Sequence, residues 1–108
     1  MDQRVKKLWI DALRSGDYKQ GRECLRTNDN EFCCLGVLCD LYGKENKVDW
    51  DPEDGGSRTF YKQISFLPNK VKDWADFETI ENLTGILVEM NDQKMNSFWK
   101  IADYIETL

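Results

Sequence analysis

Three of the four cysteines stand within F-C-C-L-G-V-L-C-D-L-Y, Phe32 to Tyr42, which is also the densest apolar stretch of the chain. Such a segment is a metal site, a redox site or a core helix, and the three lead to different proteins. Zinc needs four converging ligands, usually two short-spaced pairs of Cys or His. Here Cys33 and Cys34 are adjacent, Cys39 lies five residues beyond Cys34, Cys24 is isolated and the chain has no histidine. A thioredoxin-like site needs C-x-x-C at a helix start, and that spacing is absent. Free cysteine otherwise behaves as a small apolar residue that is commonly buried.

The segment therefore reads as a buried helix. Cys34, Leu38 and Leu41 fall at i, i+4 and i+7, and Leu35, Val37 and Cys39 widen the apolar surface around most of the circumference. Gly36 costs roughly 1 kcal/mol of helix propensity relative to Ala, so its presence predicts a close neighbour on that face. Gly43, just past Tyr42, is expected to end the helix in the left-handed conformation. The thiols are expected to be reduced and free of metal.

At 108 residues the chain fits a single compact domain, 1–108, able to bury a core without staples. Neither a membrane-length apolar run nor a basic-then-apolar leader is present, so the expectation is a cytoplasmic protein with no membrane partner. The net charge of -5 is unevenly spread: residues 1–26 carry seven basic side chains against four acidic ones, and residues 27–56 two against eight. An acidic chain is a poor non-specific partner for nucleic acid, whose affinity comes from phosphate neutralisation, but a local basic face can hold one phosphate or nucleotide.

The first element is an amphipathic helix, with Val5, Leu8, Trp9, Ala12 and Leu13 at three- and four-residue spacing, Asp2 as its cap and Ser15-Gly16 at its end. Tyr18 to Arg26 reads as extended, and T-N-D-N at 27–30 as a turn. The loop from 44 to 58 carries Asp49, Asp51, Glu53 and Asp54 but fails as a calcium loop, because the required glycine falls on Asp54 and the bidentate glutamate on Phe60. Phe60, Ile64 and Phe66 share one parity, which predicts a half-buried strand.

Pro68 suits the first turn of a short helix with Val71, Trp74 and Ala75. In 79–90, Ile80, Leu83, Ile86, Leu87 and Met90 fit helical spacing, although Thr84-Gly85 leaves helix or strand open. Ser97 caps a last helix with Phe98, Ile101, Ala102, Ile105 and Leu108 inside. The expected architecture is α+β: four to five helices with a short antiparallel sheet of two to three strands.

Without histidine the usual general base near neutral pH is missing, and Ser-His or Cys-His nucleophile pairs are excluded. Neither glycine-rich phosphate-loop pattern occurs. The expectation is no catalytic residue, no metal and no cofactor. Binding is the function class that remains, with Lys19, Arg22 and Arg26 for anionic groups and Tyr18 and Trp50 for stacking or anchoring. The alternative from the residues is a small carboxylate- or metal-dependent nucleotide hydrolase in which Asp40, Asp103 and Glu106 meet.

Five blocks carry a resemblance: W-I-D-A-L-R-S-G-D-Y-K-Q-G (9–21), F-C-C-L-G-V-L-C-D-L-Y (32–42), F-L-P-N-K-V (66–71), M-N-D (90–92) and S-F-W-K-I-A-D-Y-I-E (97–106). In order and length they resemble small phage- and prophage-encoded proteins of unassigned function. The resemblance implies a viral accessory role in the host cytoplasm: inhibition or sequestration of a host anti-phage factor, either a protein or a nucleotide signal. Four tryptophans in so small a chain add the expectation of a homo-oligomer. The segment 87–105 also resembles the first two helices of helix-turn-helix regulators, a further alternative, but Lys100 is the only basic residue on the helix that would enter the groove.

Overall fold

A computed structural model describes every residue except Asp54, Glu78 and Thr79. The Asp54 carboxylate of the acidic loop and the Thr79 start of the 79–90 segment thus lie outside the described residues. Among the described residues the fold is α+β, with five α-helices, one of them the cysteine segment, and one two-stranded sheet.

Helix α1 (Gln3–Arg14) starts where the Asp2 carboxylate accepts the Val5 amide at 2.9 Å, and buries Val5, Trp9, Ile10 and Leu13. Helix α2 (Cys34–Asn46) follows Cys33, whose thiol accepts the Gly36 amide at 3.4 Å. Residues 34 to 39 are all buried, and the Trp9 indole donates to the Cys34 carbonyl at 3.0 Å, fixing α1 across the start of α2. Gly36 has the close neighbour its cost predicted, the Leu25 backbone.

Gly43 does not end this helix. Another turn runs to Asn46, and Lys47, at φ 57°, is the left-handed residue that stops it. Gly43 is instead a point of close approach: a Cβ there would lie 2.4 Å from the Val48 carbonyl oxygen, where the chain folds back over the helix.

The sheet differs from expectation in direction. Strands β1 (Lys19–Gln20) and β2 (Glu31–Phe32) are parallel, Lys19 opposite Glu31 and Gln20 opposite Phe32, where an antiparallel sheet was expected. The turn at 27–30 does form, with Thr27 N–H donating to the Glu31 carbonyl at 2.8 Å. The segment before it is not one strand, however. Glu23, at φ 72°, reverses the chain, so that Leu25 plugs the core and only Arg26 meets Phe32 in an antiparallel bridge. That second reversal leaves residues 19–20 running the same way as 31–32.

The strand expected from Phe60 to Phe66 is also absent. Tyr61 and Lys62 both have positive φ, 49° and 67°, and Phe60 and Gln63 close a tight turn with two 3.0 Å backbone bonds. Phe60 is buried, but the turn throws Ile64 and Phe66 outward, to 50% and 71% exposure. The Asp51 carboxylate holds this turn, accepting from the Lys62 amide at 2.7 Å and the Thr59 hydroxyl at 2.6 Å.

Helix α3 (Asn69–Ala75) begins after Pro68. Helix α4 (Leu83–Val88) continues into a π-helical turn at Glu89–Gln93, so the segment is helical from Leu83 onward, while Asn82, at φ 56°, still lies in the turn before it. Helix α5 (Phe98–Glu106) is capped by the Ser97 hydroxyl and packs along α1 with Phe98, Ile101, Ala102 and Ile105 inside. Arg14 of α1 reaches Asp103 at 2.7 Å and Glu106 at 3.2 Å.

The π-turn, which widens the backbone by one residue, places the amide of Asn91 in the interior at 1% exposure. Its oxygen accepts the Cys34 amide at 3.2 Å and Gln20 Nε2 at 2.9 Å, and its Nδ2 donates to the Gly21 carbonyl at 3.0 Å. One side chain thereby satisfies an orphan donor at the start of α2 and a carbonyl just past β1. Asn91→Ala leaves these buried groups unpaired, and urea denaturation should show a loss of about 3 kcal/mol; a loss under about 1 kcal/mol would mean that water substitutes for the amide.

Candidate functional site

Tyr18, Arg26 and Trp50, three of the five residues expected to bind, come together against Phe32 of β2. Tyr18 meets Phe32 edge-on at 5.1 Å between ring centres, Trp50 meets it at 6.0 Å, and Trp50 in turn meets Phe60 at 5.0 Å. The Arg26 guanidinium carbon lies 5.0 Å from the Phe32 ring centre and 5.3 Å from that of Trp50, within cation–π range of both. Its Nε and Nη2 donate to the Asn30 side-chain oxygen at 3.1 and 2.8 Å, so the turn at 27–30 orients the arginine.

Asp40, on the outer face of α2, organises the polar side of the cluster. It accepts from the Tyr18 hydroxyl at 2.5 Å and the Trp50 indole N–H at 3.0 Å, and pairs with Lys44 at 3.2 Å. Burial alone would raise its pKa, but the bonds from Tyr18, Trp50 and Lys44 outweigh burial and hold the carboxyl below its ordinary value. Burial, reinforced by the bond to Asp40, pushes the Tyr18 hydroxyl up. Lys44 is raised by its bond to Tyr18 and then by Asp40. The result is an ionised carboxylate that ties the Trp50 loop to α2. Beside it opens a cleft of about 130 Å³ lined by Asp40, Gly43, Lys44, Val48, Asp49 and Trp50.

Lys19 does not join the ring cluster: it is exposed and pairs with Glu31, its partner in the parallel ladder, at 3.2 Å. Arg22 is half-buried, and its Nε is shielded from solvent without a hydrogen-bond partner.

Sequence reasoning missed Arg58. It stands directly opposite Arg26 in an antiparallel bridge, its amide donating to the Arg26 carbonyl at 2.9 Å. Residues directly opposite in such a bridge project from the same face. Its Nη2 donates to the Asp51 carbonyl at 3.3 Å, and its Nε is buried without a partner. Among the described residues neither arginine has a carboxylate within ion-pair distance. Burial and then the charge of Arg58 lower the pKa of Arg26, partly opposed by Asp40 and Glu53.

The carboxylates of the hydrolase alternative keep separate partners, Asp40 with Tyr18, Trp50 and Lys44, and Asp103 and Glu106 with Arg14. Among the described residues no group of three or more Cys, Asp or Glu is arranged to hold a metal ion. No described helix is long and apolar enough to cross a membrane.

A family model described as a domain of unknown function, DUF8296, matches residues 1–108. The chain belongs to the DUF8296 family. No curated protein and no solved structure matches it. In this DUF8296 member, Arg26 lies beside Trp50 and is paired with Arg58 across one antiparallel bridge.

Proposed function

We propose that the protein acts by occupancy, binding an anionic partner on the face formed by Arg26, Arg58, Trp50 and Tyr18, and that it does so as a phage accessory protein that inhibits or sequesters a host anti-phage factor. The observation that carries the binding reading is the arginine pair. Two guanidinium groups opposite one another repel, and in a chain of net charge -5 carboxylates are plentiful, yet among the described residues neither forms an ion pair. A partner that brings its own negative charge relieves that repulsion and gains charge-assisted hydrogen bonds. Occupancy requires a complementary surface and no catalytic group. The viral role is supported by the sequence blocks that resemble phage and prophage proteins.

The test is native mass spectrometry of the protein purified from bacterial cells under mild conditions, alongside Arg26→Ala/Arg58→Ala. The expected result is a stoichiometric added mass, small molecule or protein, on the wild type and its loss from the variant with the fold retained by circular dichroism. Identical spectra from the two proteins would overturn the assignment of this face. Restoration of phage growth on a defended host by the wild type alone is expected for the anti-phage role.

A further inference from the structure

Resting on the binding reading above, we infer that the ligand is a mononucleotide-sized phosphate ester, its phosphate held between Arg26 and Arg58 and its base against the indole of Trp50. The two side chains leave one face of a single antiparallel bridge, which puts their Cβ atoms roughly 5 Å apart. That spacing suits one tetrahedral anion accepting from both guanidinium groups. Asn30 occupies Nε and Nη2 of Arg26 and Asp51 occupies Nη2 of Arg58, which orients the two groups without neutralising them. The Nε of Arg58 is buried without a partner; a buried donor in this state costs free energy, which a turn of the side chain toward an incoming phosphate oxygen would recover.

The aromatic part follows from adjacency. The Trp50 ring centre lies 5.3 Å from the Arg26 guanidinium carbon, so a group linked to an anion at Arg26 by one sugar reaches the indole. Trp50 is held in place by its N–H bond to Asp40 and by edge contacts with Phe32 and Phe60, so little ordering is needed when a base packs on it. Base–aromatic stacking contributes to affinity whatever the base.

The surroundings limit the ligand's size. Asp40 and Glu53 are near enough to act on the charge of Arg26, and the Asp51 carboxylate sits in the turn next to Arg58. A polyanion running past the pair adds charge beside these carboxylates with every further phosphate, whereas a single phosphate faces two arginines. Long nucleic acid needs many phosphate contacts in series, and the arginine pair provides one.

The test is fluorescence and thermal-shift titration of the full chain with AMP, GMP, CMP and UMP, and with inorganic phosphate, adenosine and a single-stranded oligonucleotide. At least one mononucleotide should quench tryptophan emission and raise Tm, with the matching phosphate-free nucleoside and inorganic phosphate each about tenfold weaker or more. Arg58→Gln, which keeps hydrogen bonding but removes charge, should weaken it about tenfold or more. Trp50→Phe should lose most of the quench while its Tm still responds. No response to any mononucleotide, or equal affinity for inorganic phosphate, would overturn the inference. If the mononucleotides fail while native mass spectrometry finds an anionic protein bound through the same arginines, the binding reading stands and only the ligand class falls; if both fail, the face itself is wrong.

Discussion

Gly36→Ala is expected to cost more than about 4 kcal/mol, a large share of the roughly 5–15 kcal/mol that holds a domain folded. A Cβ at this position would lie 1.8 Å from the Leu25 carbonyl oxygen and 2.7 Å from its carbon. Backbone is the obstacle, and it has nowhere to go. Leu25 N–H donates to the Ile64 carbonyl at 2.8 Å, its carbonyl accepts the Cys33 amide at 3.2 Å, and its side chain is fully buried. Relief requires moving the plug that reverses the chain between β1 and β2, or tilting α2 away from it. At about 4–8 °C per kcal/mol for a chain of this length, Tm should fall by roughly 15–30 °C. Gly16→Ala is the control: its site is open, and the only penalty is the positive φ of 81°, about 1 kcal/mol. A Gly36→Ala protein that unfolds within 1 kcal/mol of wild type would refute the close contact on which the centre of the fold depends.

Gly36 also illustrates what a sequence exposes. A residue that weakens its own helix in the middle of an apolar run needs a compensating contact, so the contact was inferable although the partner was not. The caps at Asp2 and Ser97 were equally legible, because each precedes a run with apolar spacing of three and four and supplies the oxygen that the first turn lacks. The sheet was not. Its direction depends on Glu23 taking a left-handed conformation, and the missing strand on Tyr61 and Lys62 doing the same, none of them a residue type that announces such a conformation. Tertiary contacts impose these turns: the Ser65 hydroxyl bonds to the Glu23 carbonyl, and Asp51 bonds to the Lys62 amide.

The candidate site divides the same way. Tyr18, Arg26 and Trp50 could be singled out by residue type and local charge. The residues offered Asp40 only as a carboxylate of the hydrolase alternative, whereas its partners lie 22 residues before it and 10 after it. Arg58 became visible only through its bridge to Arg26, a pairing across a separation that no local pattern encodes. The M-N-D block carries a resemblance and no local structural signal; its use of Asn91 as an interior amide requires the π-turn, which has no simple sequence signature.

Raising pH should unfold this protein steeply, and the buried thiols are the reason. Cys33 is pushed by burial up to about 12, and Cys34 and Cys39 are pushed well above their ordinary value by burial, reinforced by neighbouring charge. In the unfolded chain the same thiols lose their protons near pH 8.5. Between that value and the folded one, the unfolded state has released protons that the native state keeps, so stability falls as pH rises. Below about pH 7 both states hold the protons and the thiols contribute no pH dependence. Each thiol adds a slope approaching 1.4 kcal/mol per pH unit, so three give about 4 kcal/mol per unit once the unfolded thiols are mostly ionised. A domain of ordinary stability is then exhausted near pH 10 to 11. Urea denaturation at stepped pH, in the presence of reductant so that unfolded thiolates do not pair, measures that slope. Cys39→Ala should be less stable at neutral pH, because it leaves a small void in α2, yet its stability should decline less steeply, by about 1.4 kcal/mol per unit. A wild-type profile flat to pH 10 would mean that the thiols titrate in the native state, and the cysteine segment would then not be the sealed centre of the domain.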